Sequence, residues 1–119
     1  MNKRLRIYIA GPYTPRNCTL HEAAKIAQSN VDKAIKIGNA CMAKGHYVFV
    51  PHLSHYQHID RSSKITDERW WYELDNTFLD HWATALFYMS SSYGTDLELK
   101  RAKELKLKIY YKIEDIPKC

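Results

Sequence analysis

A chain of 119 residues, 45% of them hydrophobic and 26% charged, is long enough for one domain with a real core and too short for two. Its net charge of +5 is dispersed among acids with no Arg/Lys block, which argues against polymeric nucleic acid as a partner and suits a small anionic substrate or mere solubility. No apolar run approaches a membrane span, no cleavage pattern follows Met1-Asn2-Lys3-Arg4, and Cys18, Cys41 and Cys119 fit neither a disulfide framework nor a metal spacing. The expected setting is therefore cytoplasmic and reducing.

Residues 1–119 read as a single domain. Leu5-Arg6-Ile7-Tyr8-Ile9-Ala10 has the composition of a strand, ended by Gly11-Pro12. A polar loop over residues 12–19 leads into a long helix predicted from about Leu20 to Lys44. Its inward stripe, Ala27, Val31, Ala34, Gly38 and Cys41, is small enough to pack closely on a sheet, and Gly45 suits the position just past its end. His46 to Val50 form a second strand closed by Pro51. Residues 51–66, rich in His and Ser, read as irregular. A helix is predicted from about Thr66 to Trp82, with Thr66 or Asp67 as its cap. A strand from Ala83 to Met89, a helix over 95–106, a strand from Leu107 to Lys112 and a last turn within Ile113–Pro117 complete the chain. Alternating strands and helices imply a Rossmann-like or flavodoxin-like three-layer α/β sandwich. Its sheet would have four or five mainly parallel strands, with helices on both faces.

Two carboxylates break the binary pattern. On a helical wheel of residues 95–107, Leu97, Leu99, Ala102 and Leu105 form one arc and Glu98 falls near its centre, with Lys100, Lys103 and Glu104 opposite. On a wheel of residues 67–82, Trp71, Leu74, Phe78 and Trp82 define the apolar arc and Asp75 falls inside it. Arg69, Glu73, Asn76 and Asp80 fall outside. An inward carboxylate is either a structural hydrogen-bond acceptor or a group facing a pocket, and a buried one shifts its pKa. Two such groups on helices flanking one strand can divide the work of a nucleophile and a proton carrier. In an open α/β sheet the ligand site lies at the carboxyl ends of the strands, where Glu98 is expected.

Other residues are candidates for binding. Gly11 follows the first strand, where an N–H-rich turn approaches a ligand closely, and the adjoining Pro12 and Tyr13 share that turn. Ser90, Ser91 and Ser92 precede the helix that carries Glu98, and hydroxyls at a helix N-terminus suit a phosphate; the plain alternative is a Ser cap. There is no G-x-G-x-x-G and no Walker lysine, so no dinucleotide or P-loop cofactor is expected. His52, His55 and His58 recur every third residue, but Pro51 argues against a regular helix aligning them and no cysteine supports them; no metal is expected, and His52 is placed at the pocket wall. Tyr13 or Trp70 at a pocket mouth would stack on a nucleobase. Trp70, Trp71, Tyr72 and Trp82 are too many large aromatics for one inward stripe, so a homodimer or higher homo-oligomer is expected.

Three segments carry a resemblance. Ile7-Tyr8-Ile9-Ala10-Gly11-Pro12-Tyr13-Thr14, the stretch from Gly45-His46-Tyr47 to Pro51-His52-Leu53, and Gly94-Thr95-Asp96-Leu97-Glu98-Leu99-Lys100-Arg101-Ala102 resemble nucleoside 2-deoxyribosyltransferase-like proteins, particularly small bacterial and phage members. The resemblance spans most of the chain and is strongest in Gly-x-x-x-Glu-Leu-x-x-Ala. It implies a Rossmann-like sheet and chemistry at an N-glycosidic bond. Glu98 matches the glutamate that attacks the anomeric carbon, Tyr8 the tyrosine that touches it, and Asp75, by spacing, the aspartate that assists the base or sugar. Gly94 opens the matched motif. Two positions depart: Asp96 stands where a second glycine is common, and Thr84 where an Asp is common. Gly94-Thr95-x-x-Glu98 also resembles nucleotide phosphoribohydrolases of the cytokinin-activating type, which likewise release a base.

The expected function is cleavage or transfer at the N-glycosidic bond of a nucleoside or nucleoside 5′-monophosphate, by preference a 2′-deoxy one. Glu98 would be the nucleophile, Asp75 and Tyr8 its assistants, and Gly11, Pro12, Tyr13, His52, Ser92 and Gly94 the substrate contacts. The alternatives are a nucleotide-binding sensor without turnover and a metal-dependent hydrolase built on the histidines.

Overall fold

The computed structural model describes residues 3–15, 18–60 and 67–119. Strand β1 (Arg6–Ala10) is followed by helix α1 (Leu20–Ala43), β2 (Tyr47–Phe49), a 3₁₀ turn (Pro51–Ser54), α2 (His55–Asp60), α3 (Glu68–His81), β3 (Ala85–Tyr88), α4 (Tyr93–Glu104), β4 (Lys108–Tyr110) and a closing 3₁₀ turn (Ile113–Asp115). The four strands form one sheet in the order β2-β1-β3-β4, parallel throughout. Tyr8 pairs with Phe49 on one side and Leu86 on the other, so β1 sits inside the sheet.

Alternation along β1 divides the core in two. Ile7 and Ile9 point to the face covered by α1, where Leu5, Ala34, Cys41, Ala85, Phe87 and Ile116 join them. Tyr8 and Ala10 point to the opposite face, packed with Leu79 of α3, Leu86, and Ala102 of α4. Helices therefore cover both faces, as the alternation of elements implied. The buried stripe of α1 is Ala27, Val31, Ala34, Gly38 and Cys41, the expected set. Thr19 and Glu22 close a capping box at its start: Thr19 Oγ1 accepts from the Glu22 amide, and the Glu22 carboxylate accepts from the Thr19 amide.

Both α1 and α4 end in the same hydrogen-bond pattern. After α1, Gly45 N–H donates to Met42 O and His46 N–H to Cys41 O; after α4, Lys106 N–H donates to Lys103 O and Leu107 N–H to Ala102 O. The left-handed residue is glycine in the first (φ 97°) and lysine in the second (φ 60°). The C-terminal segment is clasped to the end of α1. Lys44 Nζ donates to Ile113 O and Ile116 O, and Cys119 N–H donates to Lys44 O. His46 Nδ1 accepts from Leu5 N–H, which leaves Nε2–H to donate to Pro117 O.

Two expectations need correction, and a third, the α3 cap, resolves to one of its two candidates. The segment after Pro51 is not irregular: Pro51 starts a 3₁₀ turn that runs directly into α2, while residues 61–66 lie outside the described set. A proline at the first helical position removes no needed donor, so a residue that read as a breaker is here a starter. Asp67 is the cap of α3, its side chain accepting from Arg69 N–H, and Thr66 lies outside the described residues. The wheels placed Leu74 and Leu97 inward, yet they are 36% and 46% exposed; Leu79 is the buried anchor of α3, and Thr95 and Ala102 are those of α4.

Candidate active site

Glu98 lies in the second turn of α4, on the side that meets β1. Ser92 starts this helix: its Oγ accepts from Thr95 N–H, and the two hydroxyls hydrogen-bond each other. With the helix start fixed, Thr95 and Ala102 pack inward and Glu98 projects to Tyr8. The Tyr8 hydroxyl, on a fully buried ring, donates to Glu98 Oε2. Burial pushes the Glu98 carboxyl up to about 7; the Tyr8 hydrogen bond opposes that rise and the charge of Asp75 adds to it. Asp75, half-buried on α3, is also raised to about 7 by desolvation. Tyr8 is held far above the ordinary phenol range by burial, then by Glu98 and Asp75, so it is a permanent donor. Tyr8, Glu98 and Asp75 thus form one electrostatic unit drawn from β1, α4 and α3.

A cleft of about 160 Å³ opens beside this unit between the two helices. Tyr72, Asn76 and Asp80 line it from α3, spaced four apart and so on one stripe; Leu97, Glu98 and Arg101 line it from α4. One end is closed by an ion pair, Arg101 Nε to Asp80 Oδ1 at 2.9 Å. At the other end Tyr72 lies on the first turn of α4. A Cβ on Gly94 would stand 2.5 Å from the Tyr72 hydroxyl, so Gly94 is the residue that admits this ring. Asp75 is not among the lining residues; it acts on Glu98 and Tyr8 electrostatically from alongside. A larger, shallower depression of about 540 Å³ is lined by Asp96, Leu99, Lys100, Lys103 and Glu104 of α4 and contains neither Glu98 nor Tyr8.

The remaining candidates form two other groups. Gly11 packs against Met89, which a Cβ there would overlap, so its missing side chain serves the strand end. His52, buried, shares its Nε2–H between the carbonyls of Gly11 (3.0 Å) and Pro12 (3.1 Å), and burial lowers its pKa. Tyr13 donates its hydroxyl to His55 Nδ1 at 2.6 Å, and His55 Nε2–H donates to Gln28 Oε1 at 3.1 Å. Gly11, Pro12, Tyr13 and His52 therefore organise the turn after β1 and do not line the cleft. No group of three His, Cys, Asp or Glu able to hold a metal occurs among the described residues, and the His58 side chain lies outside them. No disulfide joins Cys18, Cys41 or Cys119. At the start of α4, Asp96 accepts from Tyr88 Oη and Ser91 Oγ, each at 2.7 Å, and these bonds lower its pKa. The hydroxyls of Ser91 and Ser92 are thus engaged within the protein.

Wheel reasoning found Glu98 and Asp75 but missed Tyr72, Asn76, Asp80 and Arg101. Asn76 and Asp80 fell on an apparently solvated face, and the i, i+4, i+8 spacing of Tyr72, Asn76 and Asp80 was the available signal. No described helix is long and apolar enough to cross a membrane. In comparisons with known proteins, the chain matches no family model and no curated protein.

Proposed function

We propose that this protein cleaves or transfers at the N-glycosidic bond of a 2′-deoxynucleoside or its 5′-monophosphate, with Glu98 as nucleophile. The observation that carries the reading is the Glu98 carboxylate itself: half-buried on the inner face of α4, oriented by the Tyr8 hydroxyl, and presented to a cleft. A carboxylate beneath a sugar stabilises the positive charge that develops at C1′ as the bond to the base weakens. In the first step one Glu98 oxygen bonds to C1′ while the C1′–N bond breaks. The bonding pair leaves with the base, which takes a proton relayed through water from the Asp75 carboxyl beside the cleft. In the second step water, or a ring nitrogen of an acceptor base, attacks C1′. Glu98 leaves as carboxylate and Asp75 recovers its proton from the attacking group. The resemblance of the segments around Tyr8, His52 and Glu98 to nucleoside 2-deoxyribosyltransferase-like proteins supports the same chemistry.

The reading includes a homo-oligomer. Trp70, Tyr72 and Leu74 of α3 and Tyr93 and Leu97 of α4 are exposed, an apolar surface on these two helices suited to a second copy.

The test is release of free base from a panel of 2′-deoxynucleosides and 5′-monophosphates, with and without an acceptor base. Wild type should release base from at least one member, and Glu98→Ala should abolish the release while leaving thermal unfolding cooperative. Release by Glu98→Ala at the wild-type rate would refute the mechanism. Tight nucleotide binding by wild type without release would favour the sensor.

A further inference from the structure

Among the groups that line the cleft, one polar side chain has no protein partner among the described residues. Asp80 is paired with Arg101, Arg101 also reaches Glu104 at 3.3 Å, and Glu98 accepts from Tyr8. Asn76, half-buried on α3 in the middle of the lining stripe, makes no side-chain hydrogen bond to any described residue. Its carboxamide keeps a donor and an acceptor side by side, unused and accessible from the cleft. Its neighbours are the ring of Tyr72 one turn before it and Leu97 across on α4, both apolar surfaces. Two apolar surfaces and a free carboxamide suit a flat heterocycle whose edge carries an adjacent donor and acceptor. The cleft volume of about 160 Å³ suits one base ring system and not a whole nucleotide. With the base there, the sugar lies toward Glu98, which lines the same cleft.

We propose that Asn76 reads the base, pairing through its carboxamide with an edge made of an exocyclic group and the adjacent ring nitrogen. This rests on the glycosidic reading and specifies its substrate class: bases with such an edge are used well, and a base without the exocyclic group poorly. Each carboxamide–base pair of this kind discriminates by roughly ten- to hundredfold.

The experiment compares kcat/KM for base release from 2′-deoxyadenosine, 2′-deoxyguanosine, 2′-deoxycytidine and thymidine with that from purine 2′-deoxyriboside, which has hydrogen in place of the exocyclic group. Wild type should prefer at least one natural base over purine 2′-deoxyriboside by roughly ten- to hundredfold. Asn76→Ala and the near-isosteric Asn76→Leu should abolish that preference by lowering the natural-base values, with purine 2′-deoxyriboside nearly unchanged. A preference retained in both variants, or an equal loss on every substrate, overturns the assignment and leaves the role of Glu98 standing. If wild type releases no base, the glycosidic reading fails, and calorimetric binding of the same five compounds decides. A binding preference that disappears in Asn76→Ala supports base reading; no binding, or an unchanged preference, refutes it.

Discussion

Glu98 and Asp75 are each raised to about 7 by burial, so near neutrality the pair holds protons that ordinary carboxyls have lost. The nucleophile must be ionised, so the acid limb of kcat/KM follows Glu98, and its neighbours move that limb in opposite directions. The Tyr8 hydrogen bond lowers the Glu98 pKa, so Tyr8→Phe should shift the limb to higher pH. The Asp75 charge raises it, so Asp75→Asn should shift the limb to lower pH, slow turnover and remove any alkaline limb set by Asp75. Parallel shifts in the two variants would contradict this. The same groups tax stability. Their folded pKa values lie above the ordinary 3.8 and 4.5, so the native state binds more protons between those values and about 7, and stability falls as pH rises through that window. Glu98→Gln should therefore unfold at a higher temperature than wild type at pH 8, by of order 2 kcal/mol, with the gain shrinking toward pH 4. Both carboxylates were legible because each interrupts an apolar arc. Asn76 was not: a polar residue outside that arc looks solvated until a second helix is known to face it. Gly11 and His52 were legible as residues of the turn after β1, but whether a turn faces a ligand or its own core depends on neighbours such as Met89, distant in sequence.

At the scale of elements, α1 and α4 end in one motif with different residues at the left-handed position, Gly45 and Lys106. A Cβ there crowds the following carbonyl, which glycine avoids. Lys106→Gly should stabilise the protein by about 1 kcal/mol, raising the midpoint of thermal unfolding by about 3–5 °C, with base release unaffected. No rise on calorimetry would show that the lysine sits there without strain. The legibility of each helix depended on its length and its contacts. The stripe of α1 was readable because 24 residues sample the helical period many times against a single sheet face. The shorter α3 and α4 bury only part of their apolar residues: α3 contacts α4 as well as the sheet, and the two leave a cleft between them. An arc counted from apolar residues alone therefore took in Leu97, which lines that opening, and Leu74, which is exposed. The helical character of residues 55–60 was hidden because Pro51 reads as the end of a strand, and nothing local marks it as the first residue of a helical turn.

For the whole molecule, Tyr72 and Leu97 are exposed and line the cleft, so association through them would cover it. Light scattering at micromolar concentration should give a dimer or larger, and a monomer there would refute the oligomer. The strand order also has a consequence in time. β1, α1 and β2 are consecutive, and they cover much of one face of β1 before Ala85, Phe87 and Ile116 complete it. The other face, which bears Tyr8, stays bare until β3 pairs with β1 and α3 and α4 dock, since Ile7 must find Ala85 across most of the chain. In the half-folded chain Glu98 and Asp75 stand in water at ordinary acid strength. The docking of α3 and α4 that completes the core is thus the event that draws protons onto them. Near pH 6 the last stage of folding takes up protons from solution, and the chain acquires its candidate nucleophile and the tyrosine that orients it in the same step.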